Sequence, residues 1–158
     1  MGKLMLSVEE AVTRIASSFK LLPPEQVSLA SAHGRVLAEN LISLRSHPAV
    51  DVSSMDGYAV IASDIKKTPF DLKVVGYVPA GDSYQGTIIT GQACRIFTGA
   101  PIPTGANAIV IQENTKEYGN TVTVRKGVKE GQYIRRAGMD FKYGEVGLFE
   151  GQVLSARD

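Results

Sequence analysis

From Tyr58 onward the chain is broken every few residues by glycine, proline, aspartate or asparagine, and this punctuation leaves no room for a long helix over most of its length. Between the breaks stand short apolar runs rich in β-branched residues, which predict strands at 58–61, 72–78, 93–97, 108–112 and 122–124. Gly119-Asn120 lies between residues 115–118 and 121–125 and has the form of a hairpin turn. Tyr143-Gly144 and Glu150-Gly151 space out two more short strands. Strands and helices do not alternate, so a doubly wound sheet is excluded.

One stretch reads as a helix. Ser7 is followed three residues later by Glu10, the spacing of a capping box, and Val8, Ala11, Val12, Ile15 and Phe19 recur on one helical face before Pro23 and Pro24. The stripe predicts a core-facing side, partly exposed if its natural cover lies outside the chain. Residues 27–29 predict a short strand, residues 30–34 a turn or one helical turn, and residues 35–44 are strand or short helix by pattern alone. The fold class expected is α+β, mostly β. Breaks near residues 43–48 and 138–144 divide it into a discontinuous helix/strand subdomain, 1–43 with 145–158, and an inserted β-rich, barrel-like subdomain, 44–144.

Composition narrows the function classes. With 17 basic and 16 acidic residues the net charge is +1, which disfavours partners held by bulk charge, nucleic acid and membrane surfaces among them. No apolar run has the length of a membrane span or a secretory signal, and Leu6 breaks the myristoylation pattern after Gly2. The lone Cys94 sits in an apolar run, cannot form an internal disulfide, and reads as a buried strand residue. These features lead us to expect a cytoplasmic protein. His33 and His47 have no third ligand at zinc-site spacing.

Three segments carry chemistry. Asp51-Val-Ser53-Ser54-Met-Asp56-Gly57-Tyr58 places two carboxylates and two hydroxyls close together; it could hold a hard cation, or be a tight turn. Residues 98–107, with Thr98, Gly99, Gly105 and two prolines, could present backbone N–H groups to an oxyanion, or be a rigid connector; they are neither a Walker loop nor a dinucleotide fingerprint. Residues 133–140 bring Arg135 and Arg136 next to Asp140. Arginine suits phosphate, but an exposed pair also serves solvation. Strand alternation would return Arg136 to the face of Ile134 and leave only Arg135 freely exposed.

In this order, Asp-x-Ser-x-Met-Asp-Gly-Tyr-Ala (Asp51 to Ala59), Arg-Ile-x-Thr-Gly-Ala-x-x-Pro-x-Gly-Ala (Arg95 to Ala106) and Ile-Arg-x-x-Gly-x-Asp (Ile134 to Asp140) resemble the MoeA/gephyrin E-domain family, as does Gly34-Arg-Val-Leu-Ala-Glu39. The resemblance covers nearly the whole chain. It implies an enzyme that inserts molybdate into adenylated molybdopterin, releases AMP and depends on a divalent cation, usually Mg2+. It also implies a homodimer, contacts with other proteins of molybdenum cofactor synthesis, and a large α/β domain that begins about where residues 154–158 lie and is absent from the chain. On that ground the isolated chain is expected to be inactive. By the same resemblance Asp56, Asp140 and Thr98 are catalytic, Asp56 and Asp140 face the cation, and Arg135, Thr98 and Gly99 bind the anionic substrate. A non-catalytic dimerisation or docking module of the same fold is the alternative. Val50, Asn107, Met139 and Ala156 depart from the family pattern, and Met139 removes a carboxylate beside Asp140.

Overall fold

The structure, a computed structural model, describes residues 5–158. It divides into two compact units, Met1–Asn40 with Leu148–Asp158, and Leu41–Gly147.

In the first unit, helix α1 spans Val8–Ser17. Its start is the expected capping box: Glu10 N–H donates to Ser7 Oγ and Ser7 N–H donates to Glu10 Oε2, both at 3.1 Å. It stops before Phe19 for a local reason. The Ser18 hydroxyl donates to Arg14 O at 2.7 Å, the carbonyl that its own N–H would take in a continuing helix, and the N–H turns instead to Ile15 O. No residue of α1 is buried, and its apolar face is open, with Val12 59% and Phe19 76% exposed. The strand expected at 27–29 is absent. Leu29–Ser31 forms a 3-10 turn instead, closed by Ser31 N–H on Ser28 O and Ala32 N–H on Leu29 O. Without a strand partner beside it, the local turn chemistry of the serines prevails. Gly34 and Leu37 then donate to Leu154 O and Gln152 O, lacing this segment to the last residues of the same unit.

The strands, in chain order, are β1 (Leu41–Ile42), β2 (Val52–Ser53), β3 (Gly57–Val60), β4 (Phe70–Val78), β5 (Gln92–Ile96), β6 (Ala108–Ile111), β7 (Thr115–Tyr118), β8 (Thr121–Val124), β9 (Ile134–Arg135) and β10 (Val146–Leu148). The α+β, mostly β expectation holds. Six strands form one sheet in the order β6-β3-β5-β4-β8-β7, curled into a half barrel. Its pairs are antiparallel except β4 with β5, whose register shifts between Val74 and Gly76.

The central strands are buried on both faces. Alternation sends Tyr58, Val60, Ala93 and Val110 into one apolar cluster with Leu72, Val122 and Val124, and sends Ala59, Cys94, Ile96 and Ile109 into another with Val78 and Ile88. Two-sided burial explains why β3 and β6 read as continuous apolar runs. Gly57 stands where β3 is squeezed hardest: a Cβ there would lie 2.1 Å from Val110 O. Cys94 is fully buried, as expected, and burial pushes its thiol up to about 11. Strands β2 and β9 pair antiparallel, with Val52 opposite Arg135 and Ser53 opposite Ile134; β2 falls inside a segment that the sequence offers as a tight turn, and β9 where strand alternation is considered.

Candidate functional site

The segment 51–57 is the common fastening point of the other two motifs. Its own backbone holds the loop that follows β5: Gly99 N–H donates to Ser53 O, Ser53 N–H to Ala100 O, and Ile102 N–H to Asp51 O, at 2.8–2.9 Å. On its other side it takes β9 as a strand partner, and Tyr133 O accepts both the N–H and the hydroxyl of Ser54 at 3.0 Å. Tyr133 reaches that position with φ +60, a left-handed conformation that costs a non-glycine residue about 1 kcal/mol and that the surrounding contacts hold in place. Asp51 adds a side-chain clasp, accepting from Ala137 N–H at 2.8 Å and Arg136 Nη1 at 2.6 Å. The Ala137 N–H, with Arg136 beside it, holds this carboxyl below the usual range.

Within this frame, Asp56 meets Thr98. The N–H and the hydroxyl of Thr98 both donate to Asp56 Oδ1 at 2.8 Å. Those two bonds lower the Asp56 pKa, with the charge of Arg95 adding to them. Among the described residues no donor reaches Oδ2, so one carboxylate oxygen is fixed and the other meets no protein donor. Gln112 N–H holds Asp56 O at 3.1 Å. Arg95 braces the same strand end, donating to Gly57 O and Gln112 Oε1 while its guanidinium lies 5.1 Å from the Tyr58 ring and 4.5 Å from that of Phe97. Tyr58 itself donates to Glu117, and burial followed by that bond pushes its hydroxyl up to about 12.

The second pair is Arg135 with Asp140. Arg135 Nη2 donates to both carboxylate oxygens, at 2.6 and 2.7 Å. His47 Nε2 lies 3.7 Å from Asp140 Oδ2, one of the two oxygens that Arg135 engages, and its ring is stacked on Phe141 at 5.7 Å. The two pairs are joined through β2, whose Val52 faces Arg135 four residues before Asp56. Met139, Asp140, Lys142 and Tyr143 line an open hollow on this side.

Several expectations need revision. The N–H groups of Thr98, Gly99, Ala100, Ile102 and Ala106 all donate inside the protein, which favours the rigid connector of the two readings that the sequence leaves open. Gly99 contributes through its φ of +85 and its bond to Ser53 O. Arg136 is exposed, not returned to the face of Ile134, because β9 ends at Arg135 and the alternation ends with it. The His47 backbone and Phe141 exchange hydrogen bonds, a long-range bridge without sequence signature. Asn107 also has a structural explanation: its Oδ1 accepts Ala62 N–H at 2.8 Å, a task an amide and a carboxylate perform equally. Met139 is 59% exposed and replaces no internal contact. Among the described residues no three His, Cys, Asp or Glu side chains gather as a metal site, and no helix is long and apolar enough to cross a membrane.

Comparison with known proteins agrees with this frame. A molybdopterin molybdenumtransferase 2 from Mycobacterium tuberculosis is 38% identical over 155 residues, covering 96% of this chain and 38% of that protein. A molybdopterin molybdenumtransferase from Staphylococcus aureus is 32% identical over 95% of this chain and 37% of its own length. The chain therefore spans under two fifths of these relatives. The crystal structure of a molybdopterin biosynthesis moeA protein from Pyrococcus horikoshii OT3 superposes with a TM-score of 0.81 at 40% identity, covering 85% of this chain and 36% of that one. Residues 6–158 match the MoeA N-terminal region (domain I and II), and the chain belongs to that family.

Proposed function

We propose that this chain supplies one wall of the active site of a molybdenum cofactor biosynthesis enzyme that inserts molybdate into adenylated molybdopterin and releases AMP. The observation that carries the reading is the pairing of Asp56 with Thr98, tied through β2 to Arg135 and Asp140. Cleaving an adenylate and seating molybdate both concentrate negative charge, and fixed donors stabilise such charge where it develops. Arg135 is the cation placed for that work, held at a strand end rather than on a loose loop.

A divalent cation, magnesium by resemblance, would supply charge neutralisation at the substrate's phosphate oxygens. The donor set fits it in part. Magnesium is commonly held by one or two carboxylates together with substrate phosphates, and Asp56 has one oxygen that no protein donor among the described residues engages.

The reading predicts that Asp56→Asn in a protein carrying the remaining domains lowers AMP release from adenylated molybdopterin by about a hundredfold or more. The 158-residue chain alone should release none. Unchanged AMP release by the Asp56→Asn protein would refute the assignment. A homodimer is proposed on the family resemblance, with the open apolar face of α1 as the surface that a second copy would cover. Sedimentation of the wild type against Ile15→Asp tests it; a dimer in the first and a monomer in the second is expected.

A further inference from the structure

Arg95 is the cation of the second motif, and among the described residues it makes no ion pair. Neutral oxygens and ring faces hold its half-buried guanidinium instead. Nη1 donates to Gly57 O at 2.9 Å and Nη2 to Gln112 Oε1 at 2.7 Å. The Tyr58 ring lies 5.1 Å from the guanidinium and the Phe97 ring 4.5 Å.

These contacts converge on one place. Gly57 follows Asp56, and Phe97 precedes Thr98. Gln112 holds Asp56 through the backbone, its N–H donating to Asp56 O at 3.1 Å. One side chain therefore grips the chain just after Asp56 and just before Thr98, and the Asp56–Thr98 bonds form in the interval. The register gives position 95 this reach. Arg95 stands opposite Tyr58 in β3 and Tyr77 in β4, one residue from the end of β5 at Ile96 and one from the start of β3 at Gly57. Asp56 and Thr98 lie just beyond those strand ends, where regular ladder pairing has stopped and side-chain support takes its place. A lysine at position 95 would keep the charge but lose the planar fork that sends two bonds to two different oxygens.

From this arrangement we infer that Arg95 is a positioning residue of the proposed reaction: it fixes both flanks of the Asp56–Thr98 pair, and so the direction of the Asp56 carboxylate, without contacting the substrate. The inference rests on the proposal that Asp56 faces the reacting groups. It assigns the cation of the second motif to the support of that carboxylate rather than to the capture of an anion.

Two experiments test it. In the 158-residue chain, the NMR scalar coupling across the hydrogen bond from Thr98 N–H to the Asp56 carboxylate reports the pair directly. The coupling should be present in the wild type and lost in Arg95→Lys. It should be reduced in Gln112→Ala, which removes the acceptor of Nη2 at an exposed position. Backbone shifts of β4 and β8 report that each variant is folded, and Gln112→Ala decides the matter if Arg95→Lys is not. In a protein carrying the remaining domains, Arg95→Lys should lower kcat for AMP release by about tenfold or more. KM for adenylated molybdopterin should stay within about twofold of the wild type. An undiminished coupling in the folded variants would overturn the inference. So would unchanged kinetics in Arg95→Lys, or a raised KM with kcat intact, which is the signature of a cation that binds substrate. The broader reading fails separately, on AMP release by the Asp56→Asn protein.

Discussion

Helix α1 and strand β3 carry equally legible apolar patterns and end in opposite environments. The helix has a complete capping box and a clean stripe, yet buries none of its residues. The strand has four residues, no cap and no periodicity that separates its faces, yet all four are buried. Local chemistry decides whether an element forms; neighbouring strands decide whether it becomes core. β3 has β5 on one side and β6 on the other, with an apolar cluster on each face.

The comparison can be broken most forcefully at Gly57. Because a Cβ there meets Val110 O at 2.1 Å, Gly57→Ala should lower the stability of the sheet unit by about 3 kcal/mol, read as a lower midpoint in urea. A change smaller than about 0.5 kcal/mol would show that β3 and β6 are not packed as described. Next in size is Ser7→Ala, which removes the capping box and should cost the helix about 1 kcal/mol. Circular dichroism should then show less helix while the urea midpoint of the sheet stays put; a shifted midpoint would mean that the helix is part of the same cooperative core. Smallest is Val12→Ser on the open face of α1, expected to change the stability of the six-stranded sheet unit by less than about 0.5 kcal/mol.

Cys94 offers a reporter for the same contrast. Its thiol is buried and its pKa is raised by burial from 9.0 to about 11. Alkylation should therefore wait for unfolding of the sheet. The sign for stability follows: a raised pKa favours the folded state below the unfolded value, and that contribution is lost as pH rises from 9.0 toward 11. Alkylation of the native protein at the rate of a free thiol would contradict the placement of β5.

What the amino-acid pattern discloses follows the same division. The helix start is readable because Ser7 and Glu10 act over three residues, and the longer strands are readable because their apolar runs are bounded by turn residues. The pairing of β2 with β9 is not readable: each is two residues long, and they pair because 52–53 and 134–135 meet across the fold. The site divides likewise. Ordered motifs single out Asp56, Thr98, Arg135 and Asp140, but which carboxylate pairs with which donor depends on contacts as distant as Thr98 to Asp56. His47 escapes notice for the same reason, since its place beside Asp140 is set by backbone bonds to residues 140–141. Residues 98–107 admit a cradle or a connector by composition, and the destinations of their N–H groups favour the connector.

The claim on which the rest depends is that Thr98 holds the Asp56 carboxylate in a fixed direction. A lowered folded-state pKa places that stabilisation above the ordinary carboxylate range, with loss only as pH falls through the depressed value. The direct measurement is the chemical shift of the Thr98 amide proton from pH 7 downward. The account predicts a downfield amide that moves in a single titration with its midpoint below 3.8, and that loses this titration in Asp56→Asn. A Thr98 amide that is insensitive to pH, or that titrates identically in Asp56→Asn, would contradict it.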